Sequence, residues 1–128
     1  IGTSNKTEIL LGYFTKYGDG AVDIEVIGEL FKIDERELAR FLKIPENIIK
    51  KVPTAELYHG QTDEEEIGVS YDELDKILRL YVEKKSVEEI VSMGFDRKTV
   101  DKVFGRIKSN EHKRSMPPTI KISYTSGL

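Results

Sequence analysis

Recurrent helix-start signals constrain the fold of this chain more than any other feature. Ser70 with Glu73, Ser86 with Glu89, and Asp96 each stand just ahead of a run with helical spacing of apolar residues. At such starts a short side-chain oxygen accepts a first-turn backbone N–H, and in the paired cases a carboxylate three residues on reaches back to the cap. The runs they open carry Leu74, Ile77, Leu78 and Tyr81, then Ile90 and Val91, then Val100, Val103, Phe104 and Ile107. Three capped helices in succession predict a small bundle from residue 70 onward. Pro117-Pro118 ends the helical regime, after which Ile120, Ile122 and Tyr124 alternate like a strand or an extended arm.

The upstream half reads less regularly. Ser4 and Asn5 are cap residues for a first helix, with Glu8 in capping-box position and Ile9, Leu10, Tyr13 and Phe14 as its buried stripe. Gly18 and Gly20 are expected to break it, and Ile24, Val26 and Ile27 to form a short extended segment. Asp34 with Glu37 predicts a second helix whose apolar side is Leu38, Phe41 and Leu42, stopping before Pro45. One helical turn through Ile48 and Ile49 follows. The polar stretch from Glu56 to Gly68 has little periodicity and reads as a loop with one helical turn, of the kind that closes over ligands. Its acidic run, Asp63 to Glu66, reads as a solvated first turn and is assigned no metal.

At 128 residues the chain is one small domain or a piece of a larger one. A start on Ile1, with a nucleotide-type turn directly after it, favours a piece. There is no membrane-span or signal-peptide pattern, so a cytoplasmic location is the expectation. With no cysteine and only His59 and His112 as imidazoles, thiolate metal sites are excluded and zinc chemistry is not expected. The formal net charge of −3 hides an asymmetry. From Asp101 on, Lys102, Arg106, Lys108, Lys113, Arg114 and Lys121 outnumber Asp101 and Glu111, so a basic tail faces an acidic body. That pattern suits an anionic ligand or nucleic acid, and equally a solvated helix face.

The stretch Gly2-Thr3-Ser4-Asn5-Lys6-Thr7-Glu8 followed by Tyr13-Phe14-Thr15-Lys16-Tyr17-Gly18-Asp19-Gly20-Ala21-Val22-Asp23 has the parts of a phosphate or metal site. Small hydroxyl residues and backbone N–H groups at a helix start can cradle an anion, and Glu8 offers a hard oxygen to a divalent cation. An ordinary capped helix accounts for the same residues.

These residues also carry a resemblance. Together with Leu30-Phe31-Lys32, Pro53-Thr54-Ala55, Gly60-Gln61-Thr62-Asp63-Glu64, Leu74-Asp75 and Glu111-His112-Lys113-Arg114, the opening stretch resembles the carboxy-terminal half of ammonia-dependent NAD synthetases, nearly end to end. The resemblance implies an α/β parent fold of the adenine nucleotide alpha-hydrolase type, a Rossmann-like three-layer arrangement. The fragment itself would be mostly α-helical with a few short strands. Residues 1–69 would be the nucleotide-binding half with its lid loop, and 70–128 the helical region and basic tail. It further implies a ligase that amidates deamido-NAD with ammonia, using ATP and Mg2+, as a homodimer with no nucleic-acid or membrane partner. By position, Thr3, Lys32 and Thr54 match ATP contacts, Glu8 the magnesium ligand, and Lys16, Asp23, His112 and Lys113 deamido-NAD contacts. The loop from Gln61 to Glu66 matches a segment that orders over the bound nucleotides.

Each match has a plainer alternative. Thr3 and Glu8 suit a cap, Lys16 a helix C-terminus, Lys32 a solvated lysine beside Asp34, Thr54 a turn after proline, and His112 an exposed position in a basic cluster. Departures are Tyr58-His59 and Ser115-Met116, which bear on the lid and on the far end of the tail. The family's Ser-Gly-Gly-x-Asp-Ser phosphate loop occurs nowhere in this chain, so the expectation is a fragment that does not catalyse alone. Two rival readings rest on shorter stretches. Met93-Gly94-Phe95 and its flanking helices look like a ubiquitin-associated domain, and the same helices with Lys98, Lys102 and Arg106 like a helix-turn-helix.

Overall fold

The computed structural model describes residues 1–53 and 62–122. Its elements are α1 (Lys6–Leu11), α2 (Lys32–Phe41), α3 (Glu46–Ile49), α4 (Asp63–Ile67), α5 (Tyr71–Val82), α6 (Val87–Ser92) and α7 (Arg97–Ser109), with a 3-10 turn at Glu111–Lys113. The three downstream helices start where the sequence places them. Ser70, Ser86 and Asp96 accept the backbone N–H groups of Glu73, Glu89 and Thr99, and each cap contributes about 1 kcal/mol. α5 is the axis of the fold. Its Tyr71, Leu74, Ile77 and Leu78 are fully buried, and α1, α2 and α7 all pack on it. One apolar cluster joins them to Leu11, Phe31, Ile67 and Val69 from upstream and to Ile90, Val100, Val103 and Ile107 from α6 and α7.

The upstream half departs from expectation in four ways. First, α1 ends at Gly12, which takes a left-handed φ of 64°, rather than at Gly18 or Gly20. Its buried residues are Thr7 and Leu11, while Ile9, Leu10, Tyr13 and Phe14 are only partly buried. Because the helix stops early, Tyr13 and Phe14 lie beyond its face and turn toward a cleft. Second, α2 begins two residues ahead of Asp34. Asp34 is its third residue, and the carboxylate accepts the N–H of Phe31 at 3.0 Å instead of capping a later start. Third, the apolar side of α2 is open, with Phe41 81% and Leu42 59% exposed. α2 packs chiefly on α5 and α3.

Fourth, the short strands do not form among the described residues. The segment through Ile24 and Val26 makes one parallel bridge, Gly2 with Glu25, closed by the Gly2 N–H donating to Ile24 O at 2.7 Å. A strand needs a neighbour along its whole length to satisfy its backbone groups. No second described segment runs beside this one. Ile120 and Ile122 are exposed without ladder pairing, and Tyr124 lies outside the described residues. The α4 turn is present, capped by Thr62, whereas residues 54–61 lie outside the described set.

Gly12 is required by geometry as well as by φ. A Cβ there would run into the Asn110 side chain, which itself donates to Leu11 O at 3.0 Å. Gly12→Ala is therefore expected to destabilise the chain by about 1–3 kcal/mol, read as a lower urea midpoint. An unchanged midpoint would show that the α1 terminus does not need the left-handed turn.

Candidate functional site

The amino end of α1 builds the first part of the site. The Asn5 side chain accepts the Glu8 N–H at 3.0 Å, and the Glu8 carboxylate accepts the Asn5 N–H at 3.1 Å. This capping box holds Glu8 in place with one oxygen to spare. That oxygen, Oε1, lies 3.6 Å from Lys32 Nζ, whose side chain is 14% exposed. Lys32 also donates to both oxygens of Glu35, at 3.1 and 3.0 Å, and Asn5 Nδ2 donates to Glu35 at 2.7 Å. Two carboxylates thus share one ammonium in a poorly solvated place. Burial pushes the Glu8 carboxyl above its ordinary value, with Lys32 pulling the other way.

Such a site favours an added cation, and the donor chemistry of Glu8 fits magnesium in part. Magnesium is commonly held by one or two carboxylates together with substrate phosphates. Among the described residues no group of three or more His, Cys, Asp or Glu is placed to hold a metal, so Glu8 can be one ligand of several and not a complete set.

Glu8 faces two hollows. A depression of about 230 Å3 joins it to Thr3, Asp19 and Val22, and a larger cleft of about 530 Å3 joins it to Tyr13, Asp63, Arg106 and Lys113. Thr3 is exposed beside Ser4, whose N–H donates to Glu25 at 3.0 Å. Gly2 suits this spot because a Cβ would collide with the Glu25 carboxylate.

The floor of the larger cleft was not legible in the sequence. Asp63, read there as solvated, is 5% exposed and accepts hydrogen bonds from Tyr13 OH at 3.0 Å and Tyr71 OH at 3.1 Å. Glu66 takes a second contact from Tyr13 OH at 3.0 Å. Burial first and these carboxylates second hold both phenols above their ordinary range, so they stay protonated donors. Arg106 lies over the Tyr13 ring at 5.3 Å. A tyrosine at the end of one helix and an aspartate fifty residues on carry no shared periodicity, and only tertiary structure brings them together.

The basic tail folds back over the end of α1. Lys113 Nζ donates to Gly12 O and Phe14 O, each at 2.7 Å. Arg114 donates to Leu10 O at 2.6 Å and Ile107 O at 2.7 Å. Lys16 Nζ donates to His112 O at 2.6 Å, while the exposed His112 ring has Nδ1 3.2 Å from Ser109 O. Lys16, Lys113 and Arg114 thus have carbonyl partners, and none pairs with a carboxylate among the described residues. Lys16, His112 and Lys113 are brought together, and Glu8 borders one hollow with Thr3 and lies beside Lys32. Asp23 stands in an exposed loop with no hydrogen bond or ion pair among the described residues. Thr54 lies outside them.

No helix among the described residues is long and apolar enough to cross a membrane. The NAD synthase family model matches residues 1–117. Among curated relatives, the NH(3)-dependent NAD(+) synthetase of Methanocaldococcus jannaschii is 51% identical over 122 residues, 94% of this chain and 47% of that protein. The same-named protein of Fusobacterium nucleatum is 48% identical over 123 residues, 95% of this chain and 48% of that protein. The chain spans about half the length of the curated relatives it matches. Among solved structures, an NMN synthetase from Francisella tularensis superposes with a TM-score of 0.77 at 36% identity, covering 94% of this chain and 46% of that one. An NH3-dependent NAD synthetase from Campylobacter jejuni, in complex with the nitrate ion, gives 0.70 at 31% identity, covering 94% and 44%. The likeness places the chain within the adenine nucleotide alpha-hydrolase fold, of which the described residues form helices and a single bridge. With a family match across most of its length and relatives about half identical to it, the chain belongs to the NAD synthase family.

Proposed function

We propose that this chain is the carboxy-terminal part of a cytoplasmic, homodimeric ammonia-dependent NAD synthetase, a ligase that forms NAD from deamido-NAD, ATP and ammonia. The observation that supports it most is the position of Glu8. It lies beside Lys32 and borders both hollows, one with Thr3 and one with Lys113. In this reading Thr3, Lys32 and Thr54 contact ATP, and Lys16, Asp23, His112 and Lys113 contact deamido-NAD. Residues 1–69 carry the nucleotide side and lid, and 70–128 the helical region and tail.

The chemistry has two steps. A nicotinate carboxylate oxygen attacks the α-phosphorus of ATP, the bond to pyrophosphate breaks, and an acyl adenylate forms. Ammonia then attacks the acyl carbon, AMP leaves, and the nitrogen loses a proton. Negative charge gathers on phosphate oxygens in the first step and on the acyl oxygen in the second, so fixed positive charge matters more than a general base. A magnesium ion held in part by Glu8 would supply such charge at the phosphates. Lys32 is held by Glu8 and Glu35 where it can meet a nucleotide anion, and the carbonyl-bound Lys16 and Lys113 present positive charge to the dinucleotide.

Titration calorimetry with ATP and Mg2+, and separately with deamido-NAD, tests the reading. Saturable binding is expected, with no NAD formed by the 128-residue chain because it contains no Ser-Gly-Gly-x-Asp-Ser sequence. Robust turnover would overturn the inactivity, and salt-dependent duplex DNA binding or a ubiquitin-induced shift without nucleotide binding would overturn the assignment.

A further inference from the structure

The start of α2 has an unusual source for its cap. Phe31 occupies the cap position, and its side chain has no acceptor to offer the first-turn N–H groups. Those donors are satisfied from two other helices. The Lys32 N–H donates to Thr7 Oγ1 of α1 at 3.0 Å, and the Ile33 N–H donates to Asp75 Oδ2 of α5 at 2.8 Å. Thr7 in turn donates its hydroxyl to Asp75 Oδ1 at 2.5 Å. Both Thr7 and Asp75 are fully buried. A carboxylate and a hydroxyl inside an apolar core cost free energy unless fully hydrogen-bonded, and this arrangement bonds both.

The placement of the pair links it to the site. Thr7 adjoins Glu8 in sequence, and the backbone it anchors on α2 is that of Lys32 itself. The hydrogen bonds therefore fix Lys32 relative to Glu8 through two backbone N–H groups of α2, one held by the Thr7 side chain of α1 and one by the Asp75 side chain of α5. The ion contacts of Lys32 with Glu8 and Glu35 begin from that fixed origin.

We propose that Asp75, acting through Thr7, is the positioning residue that sets the separation of Glu8 and Lys32. This rests on the reading of Glu8 and Lys32 as cation and ATP contacts, neither of which Asp75 touches directly. Asp75→Asn cannot repeat the arrangement. Its oxygen can serve Ile33, but its amide then points a donor at a hydroxyl that needs an acceptor.

The test uses the 128-residue chain with Thr7→Val, which keeps shape and removes the hydroxyl, Thr7→Ser, which keeps the hydroxyl, and Asp75→Asn. Amide hydrogen exchange reads the α2 start, and ATP titration with Mn2+ reads the site. Thr7→Val and Asp75→Asn are expected to speed exchange at Lys32 and Ile33 at least about tenfold beyond any change at Ile77 and Val103, and to weaken Mn2+-supported ATP binding about 10–100-fold. Thr7→Ser is expected to restore both readings. Wild-type protection at Lys32 and Ile33 in Thr7→Val overturns the proposal, as does loosening spread evenly through the core. If wild-type binding of Mn2+ and ATP is undetectable, or Glu8→Gln leaves it unchanged, the reading of Glu8 falls, while the exchange pattern still decides whether Asp75 positions Lys32.

Discussion

Leu74→Ala is expected to remove about 2–5 kcal/mol of stability, a large fraction of the total of about 5–15 kcal/mol that a domain of this kind has. Leu74 is fully buried on α5, between Tyr71 and Leu78, where helices from both halves of the chain converge. Truncation removes apolar contact and leaves a cavity that helices held at several points cannot close. The side chain makes no contact with the candidate ligands, so the loss should appear in urea unfolding as a lower midpoint with little change in slope. Phe41→Ala is the control. Phe41 is 81% exposed, and its removal is expected to change stability by less than about 0.5 kcal/mol. Equal losses from the two variants would mean that α5 is not the centre of the core.

Glu8→Gln is expected to separate binding from stability. The amide keeps an oxygen for the Asn5 N–H, so the cap survives, while the hard anionic ligand is lost. Cation-supported ATP binding should weaken by at least about 10–100-fold. Stability should move the other way with pH. Burial raises the folded-state value of Glu8 above its ordinary 4.5, against the pull of Lys32. A raised carboxyl stabilises the folded state below its unfolded value and loses that contribution as pH rises through the folded value. The variant lacks this decline. Its stability relative to the parent is therefore expected to increase from pH 4 upward, as read from paired urea curves across that range. A constant difference between the curves would show that Glu8 titrates alike in both states.

The contrast between the two halves shows what a sequence displays. Ser70, Ser86 and Asp96 act on backbone groups three residues away, so their helices could be placed from local chemistry. The start of α2 could not. Its donors are met by Thr7 and Asp75, at sequence separations of 25 and 42 residues, and the nearest local pattern, Asp34 with Glu37, misplaced the start. The same reasoning applies to the cleft. Asp63 stands in an acidic run that looks solvated, and its burial follows only from two phenols arriving from elsewhere. Extended segments failed for the opposite reason. Alternating Ile24 and Val26 fit a strand, but pairing is a property of two segments, and a single bridge is all that forms here. The matched residues around Glu8, Lys32, Lys16, His112 and Lys113 were legible as a pattern, and the geometry adds which of them meet.

The basic tail has a consequence for the order of synthesis. Its bonds to the end of α1 join residues about a hundred positions apart, from Asn110 with Leu11 at a separation of 99 to Arg114 with Leu10 at 104. On the ribosome α1 emerges before the tail and must wait for the residues that tie down its end. At about 5–20 residues per second that interval is roughly 5–20 s. Throughout it the carbonyls of Leu10, Leu11, Gly12 and Phe14 lack their side-chain partners. Glu8 is made about a hundred residues ahead of Asn110 and Lys113, so the cleft they line together is complete only once those later residues have been translated.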